Sequence, residues 1–361
     1  MTELAKKLHD MIAQSGPVSI ADYMQICLID EEHGYYQNRP VFGKDGDFIT
    51  APEISQIFGE MLAAFHAHIF HLYNAPASAI TFEAGPGRGT LSADMLRCYR
   101  AIAPELYEAP CYLWEASHAL QEVQKTHLAP KEPVLISSLS DLPKAPLFGV
   151  ANEFFDALGV RQAIWHEGAW HERRIDSQKG AFHFIIAETL EDSADNWRLP
   201  AQAEDGDIFE YCPKGEEIMG QLAHHIAHYG GALLVIDYGK SGHKGDSLQA
   251  VREHQPSDIL SHQGEADITH WVDFAALADV AGHHHARLIG PVSQGRFLTE
   301  LGIGERAEAL RKPDDALGDR ALVAAIDRLV SPAQMGEAFK VALLVPEGDG
   351  LPPGFMSLAD R

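Results

Sequence analysis

The run Ala79-Ile80-Thr81-Phe82-Glu83-Ala84-Gly85-Pro86-Gly87-Arg88-Gly89-Thr90 decides how this chain folds. Its first half is a short apolar stretch with β-branched and aromatic residues that ends in an acid. Its second half has glycine at alternate positions, and a helical pattern follows through Arg100. Such a stretch is a strand that turns into a helix. Glycine at the turn lets the backbone approach a ligand with no Cβ in the way, and the first N–H groups of the helix attract an anion. A dinucleotide fingerprint starting at Gly85 would need glycine at position 90, which is Thr90, so the spacing is E-x-G-x-G-x-G.

Outward from this turn, apolar runs alternate with helical patterns from about residue 79 onward, the signature of β-α-β units and a parallel sheet. Seven strands are expected, at 79–83, 111–115, 134–137, 147–152, 232–237, 286–289 and 339–345. The fold class is therefore α/β, a Rossmann-like seven-stranded sheet spanning residues 76–361 with insertions at about 160–205, 239–285 and 294–332. In the first insertion, 161–166 and 181–187 read as extra antiparallel strands flanking a Gly- and charge-containing turn. The other two are long enough for helices around the sixth strand. Residues 1–75 read as a helical segment carrying an irregular loop at 34–52, rich in Gly and aromatics, that is either a loop closing over the site or a packed connection.

Composition narrows the partners. The 361 residues hold 28 Lys and Arg against 52 Asp and Glu, a formal charge of −24. That charge repels a phosphate backbone and excludes nucleic acid as the expected substrate, while it suits a cationic protein. No run reaches the roughly 20 apolar residues that span a bilayer, and no targeting segment is evident, so a cytoplasmic location without membrane insertion is expected. Cys27, Cys98, Cys111 and Cys212 lie far apart and form no C-x-x-C pair. His224 and His228 have the spacing of one helix face, but no third ligand is near, and no metal is expected.

Polar residues at the ends of the expected strands are the candidate site. Glu115 ends the second strand and follows Gly89 by 26 residues, near the offset of roughly 20 at which an acid meets ribose hydroxyls. Asp141, after the third strand, is placed to approach an adenine edge. After the fourth strand comes Asn152-Glu153-Phe154-Phe155-Asp156-Ala157-Leu158, in which Glu153 and Asp156 bracket two aromatics. Two such carboxylates can grip a guanidinium bidentately while Phe154 and Phe155 exclude water, with Asn152 orienting the group. A core role for the two rings, and a helix-capping role for one of the acids, stand beside that reading.

The glycine motif resembles the first motif of Rossmann-like methyltransferases, and nearly the whole chain resembles the MidA family. The matching blocks include Gly46-Asp47-Phe48-Ile49-Thr50-Ala51-Pro52-Glu53-Ile54-Ser55, Glu83 onward to Leu91, Asn152 to Leu158, Ile236-Asp237-Tyr238-Gly239, Asp267-Ile268-Thr269 and Met335-Gly336-Glu337-Ala338-Phe339-Lys340. Gly159 stands where that family usually has proline, and His270-Trp271 interrupt one block.

The resemblance implies S-adenosyl-L-methionine as cofactor, bound at Glu83, Gly85, Gly87, Gly89 and Glu115. It also implies a lid formed by Asp47, Phe48, Thr50 and Glu53 on the substrate side. Mitochondrial members of that family are protein-arginine methyltransferases that assist respiratory complex I, which implies symmetric dimethylation of arginine on a respiratory-chain subunit. Two alternatives stay open: a non-catalytic assembly factor on the same fold, and a methyltransferase acting on a small molecule.

Overall fold

The structure is a computed structural model that describes residues 2–38, 50–190, 197–242, 245–312, 314–348 and 350–356. All seven expected strands lie in one sheet: β1 (Ile80–Ala84), β2 (Cys111–Trp114), β3 (Val134–Ile136), β4 (Leu147–Asn152), β5 (Gly231–Lys240), β6 (Ala286–Ser293) and β7 (Phe339–Pro346). Their order is β3-β2-β1-β4-β5-β7-β6, with β7 antiparallel to both neighbours. A further two-residue strand, Val272–Asp273, pairs with the end of β5 and raises the count to eight.

The central strands are continuous apolar runs because both faces are covered, as a parallel sheet requires. Alternation in β5 shows it: Leu234 and Ile236 enter one core, Leu233 and Val235 the other. The first core is closed by helices α3 (Gln56–Leu72) and α4 (Thr90–Ile102), and the second by α6 (Pro213–Tyr229) and α7 (Phe274–His283). In α3, Phe58, Leu62, Phe65 and Ile69 recur at helical spacing and are all buried.

The first insertion is larger than expected. Residues 167–180 are no single turn: they hold the strand Ala169–Gln178, which pairs on one side with Arg161–His166 and on the other with Ala181–Thr189. Ile208–Tyr211 and Val18–Ser19 complete a five-stranded antiparallel sheet. Helices α1 (Glu3–Ser15) and α2 (Ile20–Ile29) pack there, in a third core that joins Leu4, Leu8, Tyr23 and Leu28 to Ile175 and Val160. The second insertion holds a three-stranded sheet, Gln249–Arg252, Gln255–Ser257 and Asp267–Thr269, before α7. Among the described residues the third has helices as its only regular elements, ending in α8 (Ala316–Val330). Among the described residues no helix is long and apolar enough to cross a membrane. His224 and His228 sit together on α6 with ring centroids 4.0 Å apart, and no group of three metal-binding side chains is found among the described residues.

Candidate active site

A cavity of about 650 Å³ opens at the carboxyl edge of the sheet. It lies where β1 and β4 are neighbours while their connections leave in opposite directions, the switch point at which open α/β sheets bind ligands. Gly85, Gly87 and Gly89 carry the chain from β1 into α4 with φ of 62°, 52° and 79°, in the left-handed region that favours glycine. A Cβ on Gly85 would stand 2.8 Å from Phe154 Cδ2, so the loop after β1 lies flush against the loop after β4. Gly89 is the N-cap of α4 and offers no side-chain acceptor, which leaves the first N–H groups of that helix available to an anion.

Two acids flank this loop. Glu83 is 5% exposed, and Ser92 Oγ donates to its Oε2. Burial pushes its carboxyl up to about 7, with the Glu115 charge adding to the effect and the Ser92 bonds opposing it. Glu115 accepts the Ser117 N–H at 2.8 Å and Gln124 Nε2 at 3.3 Å; burial raises it to about 7 as well. Gln124 also donates to the Gly87 carbonyl at 2.6 Å, which ties helix α5 (His118–Leu128) to the glycine loop. Trp114 and Phe154, ring centroids 5.5 Å apart, line the same cavity.

At the end of β4 Asn152, Glu153, Phe154 and Asp156 line the cavity. Glu153 adopts φ 51°, and its Oε1 accepts the Ala51 N–H at 3.1 Å and Asn152 Nδ2 at 3.3 Å. The Oδ1 of Asn152 is buried without a hydrogen-bond partner, an acceptor awaiting a donor. Burial raises the Glu153 carboxyl, opposed by the Ala51 and Asn152 bonds and by the charge of Arg328. Asp156 is held well above the usual carboxylate range by burial and by the charges of Asp237, Glu153 and Asp267. Among the described residues neither Glu153 nor Asp156 is held in an ion pair. The same wall carries Asp267, whose Oδ1 accepts the Tyr36 hydroxyl at 3.0 Å.

The short helix Ala51–Ile54 spans the two halves. While Ala51 reaches Glu153, Glu53 Oε1 accepts the Thr90 hydroxyl at 2.6 Å. Glu53 thus meets the loop after β1, and Thr50 lines the cavity as helix N-cap. Asp47 and Phe48 lie outside the described residues. Two expected site residues are placed elsewhere. Asp141 is not on the cavity wall: its carboxylate accepts the Ser138 N–H at 3.0 Å and caps a 3-10 turn. Phe155 is 1% exposed and belongs to the core beneath the sheet, so only Phe154 of the pair faces the site.

Residue spacing gave no signal for Tyr36 or Asp267, which arrive from distant segments. Asp237 was visible only as an acid ending an apolar run, within a block shared with relatives.

These features define a Rossmann-like, S-adenosylmethionine-dependent methyltransferase. The chain belongs to the family of S-adenosyl-L-methionine-dependent methyltransferases whose model matches residues 61–292. It is 33% identical to human "Protein arginine methyltransferase NDUFAF7, mitochondrial" over 96% of this chain and 84% of that protein. To the homolog of that protein in Drosophila melanogaster it is 32% identical, over 95% and 85%. A crystal structure from Burkholderia thailandensis, bound to S-adenosyl-homocysteine, superposes with a TM-score of 0.83 at 27% identity, covering 98% of this chain and 94% of that one. The cytoplasmic location expected from the sequence is corrected by these comparisons, since the relatives carry a mitochondrial designation.

Proposed function

We propose that this enzyme methylates arginine side chains of a protein, with symmetric dimethylation, and that its acceptor is a respiratory complex I type subunit. One observation carries the reading: Glu153 and Asp156, half-buried and, among the described residues, without an ion pair, line the same cavity as the glycine loop. Desolvated carboxylates are costly unless a cation arrives to pair with them, and a guanidinium matches two of them bidentately. The arginine methyltransferase names of the relatives and the net charge of −24 agree with a cationic protein acceptor.

On this reading the α4 N-terminus takes the methionyl carboxylate of the cofactor, Glu83 its ammonium and Glu115 the ribose hydroxyls, with Gly85, Gly87 and Gly89 allowing close approach. S-adenosylmethionine supplies an electrophilic methyl group. Glu153 and Asp156 hold the guanidinium so that one nitrogen lone pair points toward the glycine loop, and Asn152 Oδ1 accepts an N–H from it. Transfer of the methyl cation adds a positive charge to the guanidinium and acidifies the nitrogen that gains carbon, so that nitrogen sheds a proton and the product stays a monocation; Asp156, whose carboxyl is pushed up, accepts it. Phe154 and Trp114 exclude water, while Glu53 and Thr50 close the entrance side. We read residues 76–361 as the methyltransferase domain and 1–75 as a helical segment serving it.

The test is transfer from isotopically labelled S-adenosylmethionine to complex I subunits and arginine peptides, followed by acid hydrolysis and amino-acid analysis. Label in symmetric dimethylarginine is expected. Label in lysine or in a small molecule only would contradict the acceptor class.

A further inference from the structure

Asp237, at the end of β5, is a buried ionisable group that neither cofactor nor acceptor binding uses. It is 0% exposed and absent from the cavity wall. Its Oδ2 accepts three consecutive backbone N–H groups, from Phe154 at 3.2 Å, Phe155 at 2.8 Å and Asp156 at 3.3 Å, and its Oδ1 accepts that of Tyr238 at 2.9 Å. One residue earlier, the Glu153 N–H donates to the Ile236 carbonyl at 2.8 Å. The last residues of β5 therefore hold every amide from 153 to 156. This is the turn in which Glu153 takes a left-handed φ of 51°, a conformation that a long L side chain keeps only when its surroundings impose it.

We propose that Asp237 is the positioning residue of the methyl-transfer site: without touching cofactor or acceptor, it fixes the left-handed turn that presents Glu153 and Asp156 to the cavity. This rests on the reading of those two acids as the acceptor-binding pair. Three convergent N–H groups form an anion nest, and a neutral oxygen there would bind them less tightly than a carboxylate does. Asp237 has a second effect. Its charge, with burial and the charges of Glu153 and Asp267, raises the Asp156 carboxyl and so makes it a better proton acceptor, while burial and the Glu153 charge push Asp237 itself upward against its backbone N–H bonds.

The experiment compares wild type, Asp237→Asn and Asp237→Glu, each loaded with S-adenosylhomocysteine. Amide hydrogen exchange is read at residues 154–156, and methyl transfer to an arginine peptide is measured across pH. In Asp237→Asn, cofactor affinity should stay within about threefold, exchange at the three amides should accelerate at least about tenfold, and kcat should fall by at least about tenfold. The acidic limb of the kcat profile should move to lower pH, because one of the charges raising Asp156 is gone. Asp237→Glu keeps the charge but displaces the oxygens, so its amides should loosen while the limb stays. It decides the matter if the Asn variant does not fold.

Undisturbed amide protection in a folded variant, or an unmoved kcat and limb in Asp237→Asn, overturns the proposal. Exchange needs no acceptor. A wild type that binds S-adenosylhomocysteine but leaves the peptide unmethylated therefore contradicts the arginine reading alone, and the amides still decide the role of Asp237.

Discussion

The two halves of the cavity are built by different means. Over β1 and β2 the proposed cofactor side comes from one unbroken stretch, Glu83 to Ser92, plus Glu115 and Gln124. Its geometry follows from glycine φ angles and one helix N-terminus. Over β4 and β5 the proposed acceptor side draws on Tyr36, Ala51, Asn152 to Asp156, Asp237 and Asp267, joined by long-range bonds. A local motif suffices to bind a cofactor common to many enzymes, whereas the acceptor pocket needs a particular fold around it. Losing a residue on one side should therefore leave the other side's function standing.

The largest expected effect separates chemistry from binding. Glu153→Gln should lower kcat by about 100- to 1,000-fold, the range for removing a preorganised charge at a reacting group, while S-adenosylhomocysteine binding measured by calorimetry stays within about threefold. Loss of cofactor affinity in that variant would break the division of the cavity. Conversely, Gly85→Val should weaken S-adenosylhomocysteine by about 100-fold in calorimetry, since the side chain meets both a φ of 62° and the Phe154 ring at 2.8 Å.

A smaller effect concerns pH. Glu83 and Glu115 are both raised to about 7 from an ordinary 4.5, so the empty folded protein holds protons that the unfolded chain has released. The stability tied to those protons is fully present below 4.5 and is lost as pH rises through about 7. The cofactor's ammonium instead favours ionised Glu83. The Tm gain from S-adenosylhomocysteine should thus grow as pH passes from 5.5 to 8, by about 30-fold in affinity at most. A flat gain would remove Glu83 from the ammonium site. The smallest effect falls on Asp141→Ala: cofactor affinity should hold within about twofold, and stability should drop by about 1 kcal/mol through the lost cap, read by denaturant melts.

Much of the fold was legible in the sequence because parallel strands buried on both faces are continuous apolar runs. β5 is buried from Gly231 through Asp237 and could hardly be read otherwise. The strand Ala169–Gln178 was not, since its sequence, with His171, Glu172, Arg173 and Arg174, carries charges that pair within the sheet rather than face away from it. The small sheet of 249–269 escaped for a similar reason: its strands are 3 or 4 residues long. Within the site, Glu83, Glu115, Asn152, Glu153 and Asp156 reach the cavity because each ends or follows a core strand. Asp141 follows a core strand too, but its carboxylate turns back onto the Ser138 N–H. Asp237 was passed over because nothing in its spacing reveals that three amides of another segment converge on it.

The division of the cavity is tested most directly by a crystal structure of the enzyme with S-adenosylhomocysteine and an arginine peptide. The expected result places the methionyl carboxylate at the N-terminus of α4 and the guanidinium within hydrogen-bond distance of both Glu153 and Asp156. A guanidinium bound elsewhere, with those two carboxylates left to solvent or to another ligand, would contradict it.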